Sequence, residues 1–211
     1  AGFLFLNDRG GIEADLTVTR LSETAYLAVV PGATLQRNLA WMRANLGDDF
    51  AVFTDVTAAE SVLCLMGPQS REVLAKVSPN DFSNAGHPFG NAKEIEIGMG
   101  IARAHRVTYV GELGWELYVS ADQTAHVFEA IMEAQPDLKL CGLHTLDSCR
   151  IEKAYRHWGH DITDEDHVLD AGLHLFVRAR IKVADRRSGC GVQCILQIGL
   201  GQDGIVVVDH R

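Results

Sequence analysis

The chain has 211 residues, 47% of them hydrophobic and 22% charged, and a formal net charge of -9. A chain of this size and mix can bury the core of one large domain or of two small, closely packed ones. The acidic balance argues against nucleic acid or an anionic membrane as the main partner, because each needs a basic patch, and only a short basic cluster between Arg178 and Arg187 is present.

No apolar stretch is long enough to span a bilayer, and the N-terminus lacks a charged region followed by an apolar run and a cleavage site. A soluble protein of the cytoplasm, or of the mitochondrial matrix in a eukaryote, is expected. Cys64, Cys141, Cys149, Cys190 and Cys194 form an odd set without the spacing of a disulfide framework, which fits a reducing compartment. The isolated pair Cys190 and Cys194 does not make a metal site, and no metal is expected.

In "NDRGGIEADLTVTR", Asn7 to Arg20, paired glycines lead into an alternating run. Ile12, Ala14, Leu16 and Val18 fall on one face of a strand; Glu13, Asp15, Thr17 and Thr19 fall on the other. Gly10 and Gly11 suggest a hairpin entering that strand. Next, "TAYLAVV" is a second run of β-formers that ends at Pro31 and Gly32. "ATLQRNLAWMRANLG" then sets Leu35, Leu39, Met42 and Leu46 at helical spacing and stops at Gly47, as a helix packed on a sheet would.

"FAVFTDVT" and "SVLCLMG" read as strands, and "GPQSREVLAKVS" opens a helix with Pro68 near its first turn. The second half repeats the rhythm, with strands at "KEIEIG", "GIARAHRVTYV" and "WELYVS" and helices over about 122–133 and 143–155. The expected class is α+β, with two ferredoxin-like mixed units, antiparallel sheets and a shared core. From Arg178 on, strand-like runs lie between glycines without a clear partner.

Three segments could carry chemistry. On the strand at Ile12, Asp15 stands on a face that is either simply solvated or open to a ligand. In "RVTYVGELGWELYV", Arg106 to Val119, the turn "GELG" joins two strands, and Glu116 and Tyr118 share the face opposite Trp115, Leu117 and Val119. A carboxylate beside aromatic rings can accept the amino group and ring N–H of a flat heterocycle together. The plainer alternative is that Glu116 is a surface residue of a hairpin and Tyr109 a cross-strand aromatic. The third segment, Asp147 to Leu173, holds charged residues, Trp158, and His157 and His160 able to titrate near neutral pH; its "TDEDH" stretch reads as a solvated loop.

Taken together and in order, "NDRGGIEADLTVTRL", "GPQSREVL", "RVTYVGELGWELYV" and "RIEKAYRHWGHDIT" followed by "DAGL" resemble the folate-binding aminomethyltransferase family that includes the glycine-cleavage T-protein. "VGELGWELYV" and "EKAYRHWGHDI" look closer to the domain fused behind the flavin-dependent part of sarcosine and dimethylglycine dehydrogenases. The resemblance implies a folate-binding domain over residues 1–177, N-terminally incomplete, with 178–211 a divergent tail that matches neither the family's next segment nor its β-barrel domain.

By that resemblance Asp15 is the catalytic aspartate beside the reactive nitrogens of tetrahydrofolate, where a carboxylate on an open strand face can manage a proton. Glu116 would take the pterin's amino and ring N–H edge, Tyr109 would line the pocket, and Thr17 would be a further contact. The implied reaction moves a one-carbon unit from an amine-derived iminium to tetrahydrofolate, giving 5,10-methylenetetrahydrofolate. A flavin-dependent amine dehydrogenase domain would be the partner; without a GxGxxG after an early strand, FAD belongs to a separate domain outside this chain. Leu146 stands where the T-protein has an arginine, which favours the dehydrogenase branch. The alternatives are the T-protein itself with a lipoylated partner, a sulphur-compound demethylase, a non-catalytic folate-binding relative, and an inactive fragment.

Overall fold

The computed structural model describes residues 2–173 and 203–209. They fall into two compact units, one built on residues 55–155 with Asp203 and the other on residues 2–54, 156–173 and 204–209.

The second of these units opens with β1 (Gly2–Leu6), β2 (Ile12–Arg20) and β3 (Ala25–Pro31), continues through α1 (Leu35–Ala44) to β4 (Val52–Asp55), and includes β9 (Asp203–Asp209) from Gly204 on. Its five-stranded sheet has the order β1-β2-β3-β9-β4, with β1/β2 and β2/β3 antiparallel. The β9 segment of the tail therefore has partners, in β3 and β4. Alternation along β2 comes out as expected: Ala14, Leu16 and Val18 are buried and pack with Ala28 and Val30 of β3 and with Leu39 and Met42 of α1. The expected helix is trimmed to α1, preceded by a single turn of 3-10 helix at Gly32–Thr34.

The other unit contains β5 (Glu60–Met66), α2 (Ser70–Val77), β6 (Ala92–Ile97), β7 (Gly100–His105), β8 (Gly114–Ser120), α3 (Thr124–Ala134) and α4 (Leu143–Glu152). Its four strands are ordered β5-β8-β7-β6, and every neighbouring pair is antiparallel. Leu65, Ala102, Ala104, Trp115, Leu117 and Val119 form the inner face, onto which α2 brings Val73 and Leu74 and α3 brings Val127 and Ile131.

The protein is thus α+β with antiparallel pairing, while the unit over 55–155 does not follow the ferredoxin-like connectivity among its described strands. That fold keeps its first strand inside the sheet and a helix before its last strand. Among the described residues β5 stands at the end of the strand order, and β7 reaches β8 through a loop. The expected strand over 100–110 stops at His105 because the backbone turns away: Arg106 N–H donates to Asn91 O, and Val107 N–H folds back onto His105 O. Further on, Gly111 takes φ 78°, which only glycine holds cheaply, and its N–H is bound by Thr108 Oγ1.

Candidate functional site

Asp15 lies mid-strand on β2, opposite Leu4 of β1, and is half-buried. Burial withdraws water from its carboxylate faster than the Leu16 backbone hydrogen bond replaces it, so the carboxyl is pushed up to about 7. An aspartate that titrates near neutrality can both take and return a proton. Thr17, two residues on and on the same face, is buried, at 5% exposure.

The N-terminal end of β2 is bordered by the segment over 157–167. Trp158 Nε1 donates to Ile12 O at 2.6 Å, and Ile12 N–H donates to Asp166 O at 3.0 Å. Asn7 Nδ2 reaches both Glu13 Oε1 (3.0 Å) and Asp164 O (3.2 Å). Arg37, from α1, donates to the backbone oxygen and the carboxylate of Glu13 and to Asp164 Oδ2, while its guanidinium lies 4.8 Å from the centre of the Trp158 ring. Gly11 passes so close beneath this segment that a Cβ there would overlap the Asp164 carbonyl oxygen. The acids of "TDEDH" are consequently not a plain solvated loop: Asp164 pairs with Arg37, and Asp166 Oδ2 accepts from Thr163 N–H at 2.7 Å. His157 and His160 bring their rings to 4.4 Å of one another.

In the unit over 55–155, Glu116 is fully buried on β8, between Cys64 of β5 and His105 of β7. Tyr118 Oη donates to Glu116 Oε2 at 2.7 Å, which fixes the carboxylate plane. His105 is buried, and loss of water pulls its imidazole down to about 4, so at neutral pH it is uncharged beside the carboxylate. Tyr109 lies on the loop after β7, with its ring stacked on Tyr155 at 6.4 Å between centres and the Arg150 guanidinium 6.0 Å away. Arg150 is itself buried, donating to Asp147 Oδ1 at 2.6 Å and to Tyr155 O at 3.0 Å. Glu116 is therefore not the surface residue of a hairpin, and Tyr109 is not a cross-strand aromatic.

Asp15 and Thr17 thus share one strand face, and Glu116 shares another with Tyr118. Sequence reasoning gave no part to Arg37, Arg150, Tyr155 or His105. Arginine on a helix gives no signal of its partners, whereas His105 could have been found from its two-residue step within "RAH" onto the face that Glu116 occupies. Among the described residues, no group of three or more His, Cys, Asp or Glu side chains is placed to hold a metal ion, and no helix is long and apolar enough to cross a membrane.

The profile of the family described as "GCVT N-terminal domain" matches residues 3–180. The chain is 45% identical over 176 residues to a 4-methylaminobutanoate oxidase (formaldehyde-forming) of Paenarthrobacter nicotinovorans, covering 82% of this chain and 21% of that protein. It is 35% identical over 185 residues to the mitochondrial sarcosine dehydrogenase of Homo sapiens, covering 80% of this chain and 20% of that protein. An aminomethyltransferase of Halothermothrix orenii is 34% identical over 195 residues, covering 90% of this chain and 52% of that protein. The chain thus spans about a fifth of the length of the first two relatives. It belongs to the GCVT N-terminal domain family, a folate-dependent family of aminomethyltransferase type.

Proposed function

We propose that this member of the GCVT N-terminal domain family binds tetrahydrofolate and captures a one-carbon unit from an amine-derived iminium, as the folate domain of a sarcosine or dimethylglycine dehydrogenase-like enzyme. The observation that carries the reading is Asp15: a carboxyl mid-strand, brought near neutrality by burial, is suited to moving a proton at pH 7. Tetrahydrofolate supplies the two nitrogens that take up the carbon, giving 5,10-methylenetetrahydrofolate. As the two C–N bonds to the folate form, the C–N bond to the amine breaks; the amine leaves with one of the two nitrogen protons, and Asp15 takes the other. Glu116, oriented by Tyr118, accepts the amino and ring N–H donors of the pterin through its carboxylate oxygens, and burial excludes water that would compete for them. Tyr109 and Thr17 are assigned as further contacts. Each role is assigned within its own unit.

The substrate side is supported by the names of the relatives, two of which are an amine oxidase and an amine dehydrogenase, the first of them described as formaldehyde-forming. The amine would be oxidised by FAD on a separate domain or protein, in the cytoplasm or the mitochondrial matrix. A second reading, a glycine-cleavage aminomethyltransferase fed by a lipoylated carrier, is favoured by the Halothermothrix orenii relative, of which this chain covers about half. Leu146 on α4, in place of the T-protein's arginine, favours the first.

Calorimetry with tetrahydrofolate tests the reading. The wild-type chain should bind, Glu116→Ala should bind at least tenfold more weakly, and Asp15→Asn should bind but fail to form 5,10-methylenetetrahydrofolate when a flavin amine dehydrogenase generates the iminium. A folded wild-type chain that shows no heat of binding at high ligand concentration ends the folate reading. Product formed from a lipoylated carrier, and not from the dehydrogenase, would move the assignment to the second.

A further inference from the structure

We propose that Arg37 is the positioning residue of the Asp15 site: by gripping Glu13 and Asp164 together, with the Trp158 ring against its guanidinium, it seats residues 157–167 as a strap along the β1–β2 face that carries Asp15. The inference rests on the folate reading only for what Asp15 does, since the seating itself is read from contacts within one unit.

Three observations carry it. First, the strap is joined to β2 at the residues just before Asp15, through Trp158 Nε1 to Ile12 O and Ile12 N–H to Asp166 O. Second, Arg37 bonds to both sides of that joint. Its guanidinium donates to the Glu13 backbone and carboxylate on the strand and to Asp164 on the strap, a fork that a flexible ammonium could not reproduce. Third, Trp158 belongs to a small apolar cluster with Ile12, Ile162, Val168 and Leu4, and Leu4 is the cross-strand partner of Asp15. Side chains directly opposite in an antiparallel pair share a face, so the cluster that holds the strap's indole includes the residue that faces Asp15 across the strands.

The charged and titratable side chains of the elements packed here are Glu13 and Arg20 on β2, Arg37 and Arg43 on α1, Tyr26 on β3, and His157, His160, Asp161, Asp164, Glu165, Asp166 and His167 on the strap, while β1 and β3 bear no charged side chain. Arg37, Glu13 and Asp164 already satisfy one another. No charge is among the causes that displace Asp15, only burial and a backbone bond. Arg37 therefore acts on Asp15 by keeping the strap in place and water out, rather than through its own field.

The test is a carboxyl-carbon NMR titration of Asp15 in the full chain, paired with hydrogen exchange of the Ile12 amide. In Arg37→Ala the Ile12 amide should exchange at least tenfold faster, and the Asp15 midpoint should fall from about 7 toward the usual 3.8. Asp164→Asn, which weakens only the strap side of the grip, should move both readouts in the same direction by less and covers the case in which Arg37→Ala does not fold. A faster Ile12 amide with an unmoved Asp15 midpoint, in either variant, overturns the proposal, as does an Ile12 amide that stays protected. Tetrahydrofolate binding is measured alongside: if the wild type binds none while the Asp15 midpoint still falls in the variants, the folate reading fails and the positioning role stands.

Discussion

Replacing Asp15 by asparagine should make the protein more stable at pH 8 and leave it nearly unchanged at about pH 4. The folded carboxyl titrates near 7 against an ordinary 3.8 because the strand withdraws it from water. Since the folded state holds its proton to higher pH than the unfolded chain, the stability associated with this group is fully present below about 3.8 and is lost as pH rises through about 7. At about 1.4 kcal/mol per unit the displacement amounts to about 4 kcal/mol above neutrality. Relaxation and water reaching a half-buried carboxylate reduce that to about 2 kcal/mol. Asparagine keeps the shape and an acceptor for the Leu16 N–H but never ionises, so it avoids the loss. Urea unfolding of wild type and Asp15→Asn at half-unit steps from about pH 4 to 8 should give curves of ΔG against pH that meet at the acid end and diverge steadily, the gap levelling off above about pH 7. Parallel curves would refute the reasoning, because they would mean that the carboxyl titrates alike in both states. A variant that gains stability while losing one-carbon transfer would be a site residue held at a cost to the fold.

Ala154→Gly should raise stability by about 0.5–1 kcal/mol, seen as a higher thermal midpoint, because Ala154 takes φ 57° where α4 ends and its Cβ opposes that conformation. Gly11→Ala should lower stability by about 2 kcal/mol in urea unfolding and expose the strap to limited proteolysis, since the new methyl has to displace the Asp164 carbonyl. His105→Gln should flatten the acid limb of the stability curve. The buried imidazole titrates near 4 against an ordinary 6.5, so wild type loses up to roughly 3 kcal/mol as pH falls between those values, and a variant that cannot accept the proton loses none of it.

Alternation made β2 and β8 legible, because side-chain parity is fixed by the local backbone and needs no partner. It did not say which faces are wet. Glu116 and Tyr118 alternate with Trp115, Leu117 and Val119 as on a strand with one solvated side, yet every residue of β8 from Gly114 to Val119 is buried. For Asp15 the ambiguity mattered most, since the same period allows a solvated carboxylate near 3.8 and a half-buried one near 7, and only the second is suited to acid–base work at neutral pH. Enclosure depends on contacts across long stretches of chain. Arg37 meets Asp164 across 127 residues, and Trp158 meets Ile12 across 146, so neither pairing has a local period to reveal it. The one local trace of that closure is Gly11, whose hydrogen is all that fits beneath the Asp164 carbonyl. In sequence it looks like turn chemistry shared with Gly10. Gly10 does take φ 83°, whereas Gly11 does not have positive φ and is required for close approach instead. Two adjacent glycines thus serve two different physical needs, one for the hairpin and one for the strap, and the second links the opening motif to the segment around Trp158.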